Sequence, residues 1–351
     1  MLPSGRSRRI NLLFTSVGRR VELLRAFRQA YQDLGLKGHI VAADIDPLAP
    51  GLQIADRAFL VPEVGDPQHV PTLAEIARRE AIHLIFPLID SDIPALAEGR
   101  QELEAHGARL AVVPLRAARI AHDKWLTYEF LTGIGVATPP SWIPQGLPRE
   151  PLSFPLFIKP RVGSAGRQAV QVEDQRQLDF FLQEIPQPIV QEYLPGPEVT
   201  SDVSCGLDGQ LWAVVSRERI EVRWGEVAKG RTMLQEAILQ GCQAIAAGLQ
   251  AVGPITVQCM LRGGQPYFTE INARFGGGLP LGIAAGVPSP HWYLAQAAGL
   301  PVEPPPLGSY RLGLYLTRHD ESTFLTEADY ARMQSRRLGE GEHVAPEGDR
   351  L

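Results

Sequence analysis

Glu270-Ile271-Asn272-Ala273-Arg274 places an acid, an amide and a guanidinium at alternate positions of one strand-like stretch. Residues two apart in a strand point to the same face, so Glu270 and Asn272 present their side-chain oxygens together. Gln258 lies on the preceding strand of a short hairpin and can face the same spot. Hard oxygen donors carrying little charge suit Mg²⁺, which keeps several waters and is completed by substrate phosphates. Arg274, in phase with both, could neutralise a phosphoryl group during transfer. A solvent-facing polar strand would carry the same residues, so the hairpin alone leaves both readings open. Gly276-Gly277-Gly278 follows directly and gives a substrate room to approach backbone.

A second signal lies upstream. Arg161-Val162-Gly163-Ser164-Ala165-Gly166-Arg167 is a loop of small residues between two strands, just after Lys159. Successive backbone N–H groups in such a loop can converge on phosphate oxygens, and Lys159 at the strand end could reach the same anion. An ordinary β-turn is the alternative, and the loop lacks the Walker pattern G-x-x-x-x-G-K-[ST]. A third stretch, Gln191-Glu192-Tyr193-Leu194-Pro195-Gly196-Pro197-Glu198, ends one strand and starts another. Its backbone could meet an adenine edge and Glu198 could accept ribose hydroxyls.

These residues need a scaffold, and the remaining pattern supplies one. The chain has 351 residues, 44% apolar and 21% charged, enough for two or three domains. A net charge of −5 argues against a nucleic-acid footprint. Apolar runs are far shorter than a membrane span requires, so neither nucleic acid nor membrane is an expected partner. Three cysteines without CxxC spacing argue against a disulfide scaffold or thiolate zinc, and the cytoplasm is the expected compartment. Only four of 34 basic residues are lysine: Lys37, Lys124, Lys159 and Lys229. Each retained ammonium is a weak candidate for a specific role.

Strand and helix alternate through the first third, with strands over 10–15, 39–44, 84–87 and 109–113 and helices over 19–34, 70–80 and 92–106. That order implies a parallel sheet with helices on both faces, and a domain over 1–115. Ser16-Val17-Gly18-Arg19-Arg20 after the first strand lacks G-x-G-x-x-G, which disfavours a dinucleotide. Asp44 reads as a turn or helix cap, and Asp90 and Asp92 as cap residues at a strand end. From 116 to 320 antiparallel hairpins mix with helices, an α+β region. Thr232 with Gln235 suggests a capping box. Trp212, Trp224 and Trp292 read as packing residues. Residues 321–351 read as a helix and tail.

In order along the chain, Asp123-Lys124, FIKPRVGSAGR, VQEYLPGPEV, the Gln258 strand and TEINARFGGG resemble an ATP-grasp enzyme, in the branch related to the large subunit of carbamoyl phosphate synthetase. The resemblance covers about residues 116–290, and TSVGRR resembles the Rossmann-like domain that precedes it. It implies a Rossmann-like α/β domain followed by an α+β fold whose two subdomains clasp ATP. Lys124 and Lys159 would contact ATP phosphates from two sides, and Gly163, Ser164 and Gly166 would lie in the loop closing over them. Gln191, Glu192 and Leu194 would form the adenine hinge, and Glu198 would hold the ribose. Gln258, Glu270 and Asn272 would bind Mg²⁺, with Mn²⁺ as a substitute, and Arg274 and Lys159 would act in catalysis. Arg223, Glu226 and Lys229 match substrate-contact positions only loosely. One module and no glutaminase region argue against carbamoyl phosphate synthesis. The implied activity is amide or peptide bond formation between a small carboxylate and an amine through an acyl phosphate. The alternatives are a phosphotransferase releasing an acyl or carbamoyl phosphate, and a nucleotide-binding regulator without turnover. A homodimer is the default expectation for assembly.

Overall fold

The computed structural model describes residues 9–163, 166 and 168–336. Ser164 and Arg167 of the small-residue loop, and the end of the chain after residue 336, lie outside the described residues.

The first part alternates as β1 (Asn11–Thr15), α1 (Val21–Asp33), β2 (Ile40–Asp44), α2 (Pro50–Ile54), β3 (Arg57–Leu60), α3 (His69–Arg79), β4 (Ile82–Pro87), α4 (Asp92–Glu98), α5 (Arg100–Glu104) and β5 (Arg109–Leu110). Its strands form one parallel sheet in the order β3-β2-β1-β4-β5. β1 and β2 are buried along their whole length, as sheets covered on both faces are. The single helix expected over 92–106 is divided at Gly99. A Cβ there would stand 2.5 Å from Val70 Cγ1 on α3, so only glycine lets the two helices approach this closely. β3, a four-residue edge strand, has too short a pattern to announce itself.

Two helices, α6 (Leu115–His122) and α7 (Lys124–Gly133), lead into β6 (Ser141–Trp142), β7 (Leu156–Pro160), β8 (Val170–Val172), α8 (Gln175–Glu184) and β9 (Pro188–Glu192). These strands form a four-stranded sheet, β6-β9-β7-β8, with its own core around Leu156, Ile158, Leu178 and Val190. The chain continues as β10 (Glu198–Cys205), β11 (Leu211–Arg223), β12 (Glu226–Met233), α9 (Glu236–Gly248), β13 (Gly253–Arg262), β14 (Gln265–Asn272), α10 (Leu279–Ala284), α11 (Ser289–Ala297), β15 (Tyr315–Thr317) and α12 (Glu327–Gln334). Its strands make a six-stranded sheet, β14-β13-β10-β11-β12-β15, antiparallel throughout.

Three expectations are corrected here. Thr232 does not open α9. It lies in β12, where its buried hydroxyl donates to Arg311 O at 2.8 Å and accepts from Leu314 N at 2.9 Å. Gln235 flanks the helix without a side-chain cap bond. Trp212 and Trp292 pack edge to face in the core, but Trp224 sits at the β11–β12 tip, 74% exposed, with the Arg19 guanidinium 5.2 Å over its ring. Asp92 is not a helix cap: its carboxylate is buried and accepts from Thr15 Oγ1 and Ser16 Oγ, both at 2.8 Å. Asp44 does cap a turn, accepting from Gly18 N at 2.7 Å and Asp46 N at 3.0 Å.

The parallel sheet and the six-stranded sheet share one apolar core. Phe86 of β4 lies 5.3 Å from Phe275, just past β14, and 5.3 Å from Tyr293 of α11; Phe14 and Phe27 complete the cluster. Phe86→Ala should therefore cost about 3–5 kcal/mol, the range for emptying a buried aromatic site. Urea unfolding followed by tryptophan fluorescence and by far-UV circular dichroism should still give one coincident transition at lower midpoint. Two separated transitions would show that the sheets fold independently.

Candidate active site

Lys159 ends β7 and is buried, at 9% exposure. Burial pushes its ammonium down to about 8; Glu270 and Glu198 oppose that shift and Lys124 adds to it. A desolvated lysine beside a second lysine is a strong site for anionic oxygens. Lys124 is placed by its own helix start. Asp123 caps α7 by accepting from Trp125 N at 2.8 Å, and its carboxylate also takes Arg161 Nε at 3.0 Å and Nη2 at 2.5 Å. Burial raises the Asp123 pKa, but Arg161 and the capping amides outweigh it and the net shift is downward. Lys124 Nζ then donates to Gly163 O at 2.7 Å, so this lysine reaches the small-residue loop that carries Gly166.

β9 and the turn after it carry the three expected hinge residues. Gln191 is buried and donates to Ser141 Oγ at 2.8 Å, which ties β9 to β6. Glu192 accepts from Arg262 Nη1 at 2.5 Å, joining the small sheet to the end of β13, and Leu194 is buried. The Gln191 and Glu192 side chains are thus occupied by protein partners.

Glu198, Gln258 and Glu270 converge from three neighbouring strands, β10, β13 and β14. The register pairs Gln258 with Glu270 and with Thr200. With its amide nitrogen turned inward, Gln258 donates to Glu198 Oε1 at 3.3 Å and to Glu270 Oε2 at 3.1 Å. Turned the other way, its oxygen joins the two carboxylates in a cluster of hard donors. Asn272, two residues beyond Glu270, sits against Asp90: its amide nitrogen, turned inward, lies 3.0 and 3.1 Å from the two carboxylate oxygens. Among the described residues no group of three or more His, Cys, Asp and Glu could hold a metal. The Glu270 carboxylate with the amide oxygens of Gln258 and Asn272 fits an ion such as Mg²⁺ that retains water and takes substrate oxygens, and does not fit a fully protein-ligated ion.

Arg274 comes from the same strand end and donates through Nη2 to Asp90 Oδ2 at 2.7 Å. Asp90 lies in the loop after β4, so this ion pair crosses from the parallel sheet to the antiparallel one. Thr256 Oγ1 fixes the backbone by donating to Arg274 O at 3.0 Å. Beyond Arg274 the three glycines pass over a buried ion pair, Arg217 with Asp202. A Cβ on Gly276 would stand 2.6 Å from Asp202 Oδ1, and one on Gly278 would collide with Arg217.

Of the loosely matched substrate positions, Glu226 faces this cleft, with Arg20 Nη1 at 3.1 Å and Arg318 Nη1 at 3.3 Å. Arg223 and Lys229 pair with Glu221 at 2.7 and 2.6 Å on an exposed part of the hairpin and do not join the cleft. Sequence reasoning missed Asp90, Arg20 and Arg318 as site residues. The available signal was positional: Arg20 and Asp90 follow β1 and β4, at the carboxyl ends of the strands where the order reverses, which is where open α/β sheets bind ligands.

Residues 12–111 match the family described as PylC-like, N-terminal domain, and residues 121–278 match the ATP-grasp domain. A carbamoyl phosphate synthase large chain of Campylobacter jejuni is 22% identical over 280 residues, 74% of this chain and 25% of that protein. The chain thus spans a quarter of this curated relative's length. Among solved structures, an L-amino acid ligase from Bacillus licheniformis superposes with a TM-score of 0.64 at 20% identity, covering 82% of this chain and 74% of that one. N5-carboxyaminoimidazole synthetase from Staphylococcus aureus, complexed with ADP, gives 0.67 at 16% identity, with 87% and 81% covered. No helix among the described residues is long and apolar enough to cross a membrane. Residues 12–111 therefore match a PylC-like N-terminal domain and residues 121–278 an ATP-grasp domain, in a chain that is similar to part of the carbamoyl phosphate synthase large chain and shares the fold of these two solved enzymes.

Proposed function

We propose that this chain is an ATP-dependent ligase that activates a small carboxylate by phosphorylation and joins it to an amine. The observation that carries the reading is the meeting, in one cleft, of Lys159 from the small sheet and Lys124 from the start of α7 with the Glu198–Gln258–Glu270 cluster and the Asp90–Arg274 pair. Residues 116–320 would hold the nucleotide, residues 1–115 would shape the substrate side, and residues 321–351 would supply a C-terminal helix, α12, and a tail, with Met333 of α12 buried in the core of the parallel sheet. Lys124 and Lys159 grip the phosphate chain, and the segment containing Gly163, Ser164 and Gly166 covers it. The chain through Gln191, Glu192 and Leu194 receives the adenine, and Glu198 is within reach of a ribose.

Gln258, Glu270 and Asn272 would hold Mg²⁺, which when bound neutralises the β- and γ-phosphate oxygens. A carboxylate oxygen attacks the γ-phosphorus, the β–γ bridging bond breaks, and ADP leaves. Arg274 stabilises the charge on the phosphoryl group in flight. The amine nitrogen then attacks the acyl carbon, the C–O bond to phosphate breaks, and the nitrogen gives up a proton as the amide forms. Covering the site keeps water from the acyl phosphate. Support comes from the ligase named among the similar structures and from the ADP in another.

Two experiments test this. The purified chain with MgATP, hydroxylamine and a panel of carboxylates should release ADP only when a carboxylate is present, and should accumulate a hydroxamate. Glu270→Ala should lower that turnover by about two to three orders of magnitude, the scale for losing a transition-state electrostatic group, while circular dichroism stays unchanged. Near-normal turnover in the variant would remove Glu270 from the metal site.

The second concerns pH. The Lys159 ammonium is needed to bind phosphate, and burial places its folded pKa at about 8 against an ordinary value of 10.5. MgADP affinity measured by calorimetry should fall as pH rises through about 8. Between 8 and 10.5 the unfolded chain holds the extra proton, so stability gains from this group over the same window. Lys159→Met should flatten both profiles. Affinity that is flat from pH 7 to 9.5 in the wild type would exclude Lys159 as a phosphate ligand.

A further inference from the structure

Arg20 stands just after β1 and Asp90 just after β4, flanking the reversal in strand order. Beside them lie Arg274, Glu226 of β12 and Arg318 just past β15. Arg20 is only 16% exposed, yet among the described residues its side chain has one ion-pair partner, Glu226. Most of its five N–H donors are left for something else. Its neighbours Arg274 and Arg318 are cations, and burial is the leading cause that brings its guanidinium down to about 10. Glu226 is shared: Arg318 Nη1 lies 3.3 Å from it and Arg19 Nη2 3.9 Å. Glu22 and Gly277 O hold the other arm of Arg318. Glu226 is thus divided between Arg20 and Arg318, with the half-exposed Arg19 at longer range, and only partly satisfies Arg20. Gly277 fixes the geometry from below: a Cβ there would stand 2.6 Å from Arg20 Nη1 and 3.0 Å from the Glu226 carboxyl carbon.

We propose that Arg20 receives the carboxylate of the small-molecule substrate, and that Glu226 occupies this position until substrate displaces it toward Arg318. The proposal rests on the ligase reading and adds the group that selects its substrate. The site is one side chain from Arg274, where phosphoryl transfer takes place, and it is closed below by glycine backbone. A ligand without a negative group leaves the Arg20 donors unfilled, so carboxylates are selected over amines and neutral molecules. Arg19, next to Arg20, stacks on Trp224 at the β11–β12 tip.

Thermal unfolding separates this proposal from the ligase reading. MgADP should raise the melting temperature of wild type, Arg20→Met and Arg20→Lys alike; failure of MgADP to do so in wild type would count against the nucleotide site, not against Arg20. With MgADP present, the probes are the standard L-amino acids and acetate, malonate, succinate and glutarate. At least one should raise the wild-type melting temperature further and leave Arg20→Met unmoved. In the hydroxylamine assay that carboxylate's KM should rise roughly tenfold or more in Arg20→Lys, the scale of one charged hydrogen bond, with the KM for ATP little changed. Glu226→Gln should lower the carboxylate KM, because the internal competitor is weakened, whereas a purely structural Glu226 would raise it. No carboxylate response in wild type, an undiminished response in Arg20→Met, or a raised KM in Glu226→Gln would each overturn the proposal.

Discussion

The contact between Phe86 and Phe275 governs the geometry of the cleft. Both rings are fully buried, 5.3 Å apart, and belong to different sheets. Four residues after Phe86 comes Asp90, and one residue before Phe275 comes Arg274, so the aromatic contact brings the two charges to 2.7 Å. An ion pair between loops would otherwise lose much of its value to side-chain entropy and solvent. Here the apolar core meets the ordering cost, and the pair has only to set direction. The small sheet is attached differently. Its core is separate, and its links to the rest include the polar pairs Glu192–Arg262 and Asp123–Arg161. Polar attachment of a unit with its own core is the arrangement that permits it to move as a body. Lys159 on β7 therefore belongs to the adjustable side of the cleft, and Lys124 on α7 and the oxygen cluster belong to the fixed side.

Charge in the cleft is deliberately unfinished. Lys159 is buried and Arg20 largely so, and both are cations whose pKa values are brought down chiefly by desolvation. A buried charge without a full partner costs free energy in the folded protein. The cost is recovered when phosphate or carboxylate oxygens arrive, and that pre-arrangement is what electrostatic catalysis requires. The two cations lie on different elements, one on β7 and one after β1, so two anionic groups are invited at two ends of one cleft. This separation suits a reaction that must hold a triphosphate and a carboxylate side by side.

Much of this was readable from sequence, and the limits follow from distance along the chain. Glu270 and Asn272 alternate on one strand, and Gln258 is opposite across a short hairpin, so local periodicity was enough to place them on one face. The parallel sheet announced itself through the alternation of short apolar strands with helices in the first third of the chain. β12 did not: Glu226-Val227-Ala228-Lys229-Gly230 mixes small and charged residues, and its strand character comes from pairing with β11 and β15. The Asp90–Arg274 pair spans 184 residues, beyond the reach of any spacing argument. Trp224 failed for a related reason. An indole is ordinarily core, but this one follows β11 past the edge of the packed region, where an arginine takes the place of apolar neighbours.

The Arg217–Asp202 pair shows how stability and placement divide in this site. It is buried, and Asp202 Oδ1 and Arg217 Nε lack hydrogen-bond partners among the described residues. Pairs of this kind are weak contributors to stability, and apolar replacements are often neutral. Their position here explains what an apolar pair could not supply. Gly276 and Gly278 lie directly on the carboxylate and the guanidinium, at distances that exclude a Cβ. A flat guanidinium, held in plane by its carboxylate, gives glycine backbone a thin polar floor, whereas branched apolar side chains would lift it. Raising that backbone would move Gly277 into Arg20 and Glu226 and turn Arg274 away from Asp90. The buried pair thus sets the height of the segment on which the placement of Arg274 and Arg20 depends.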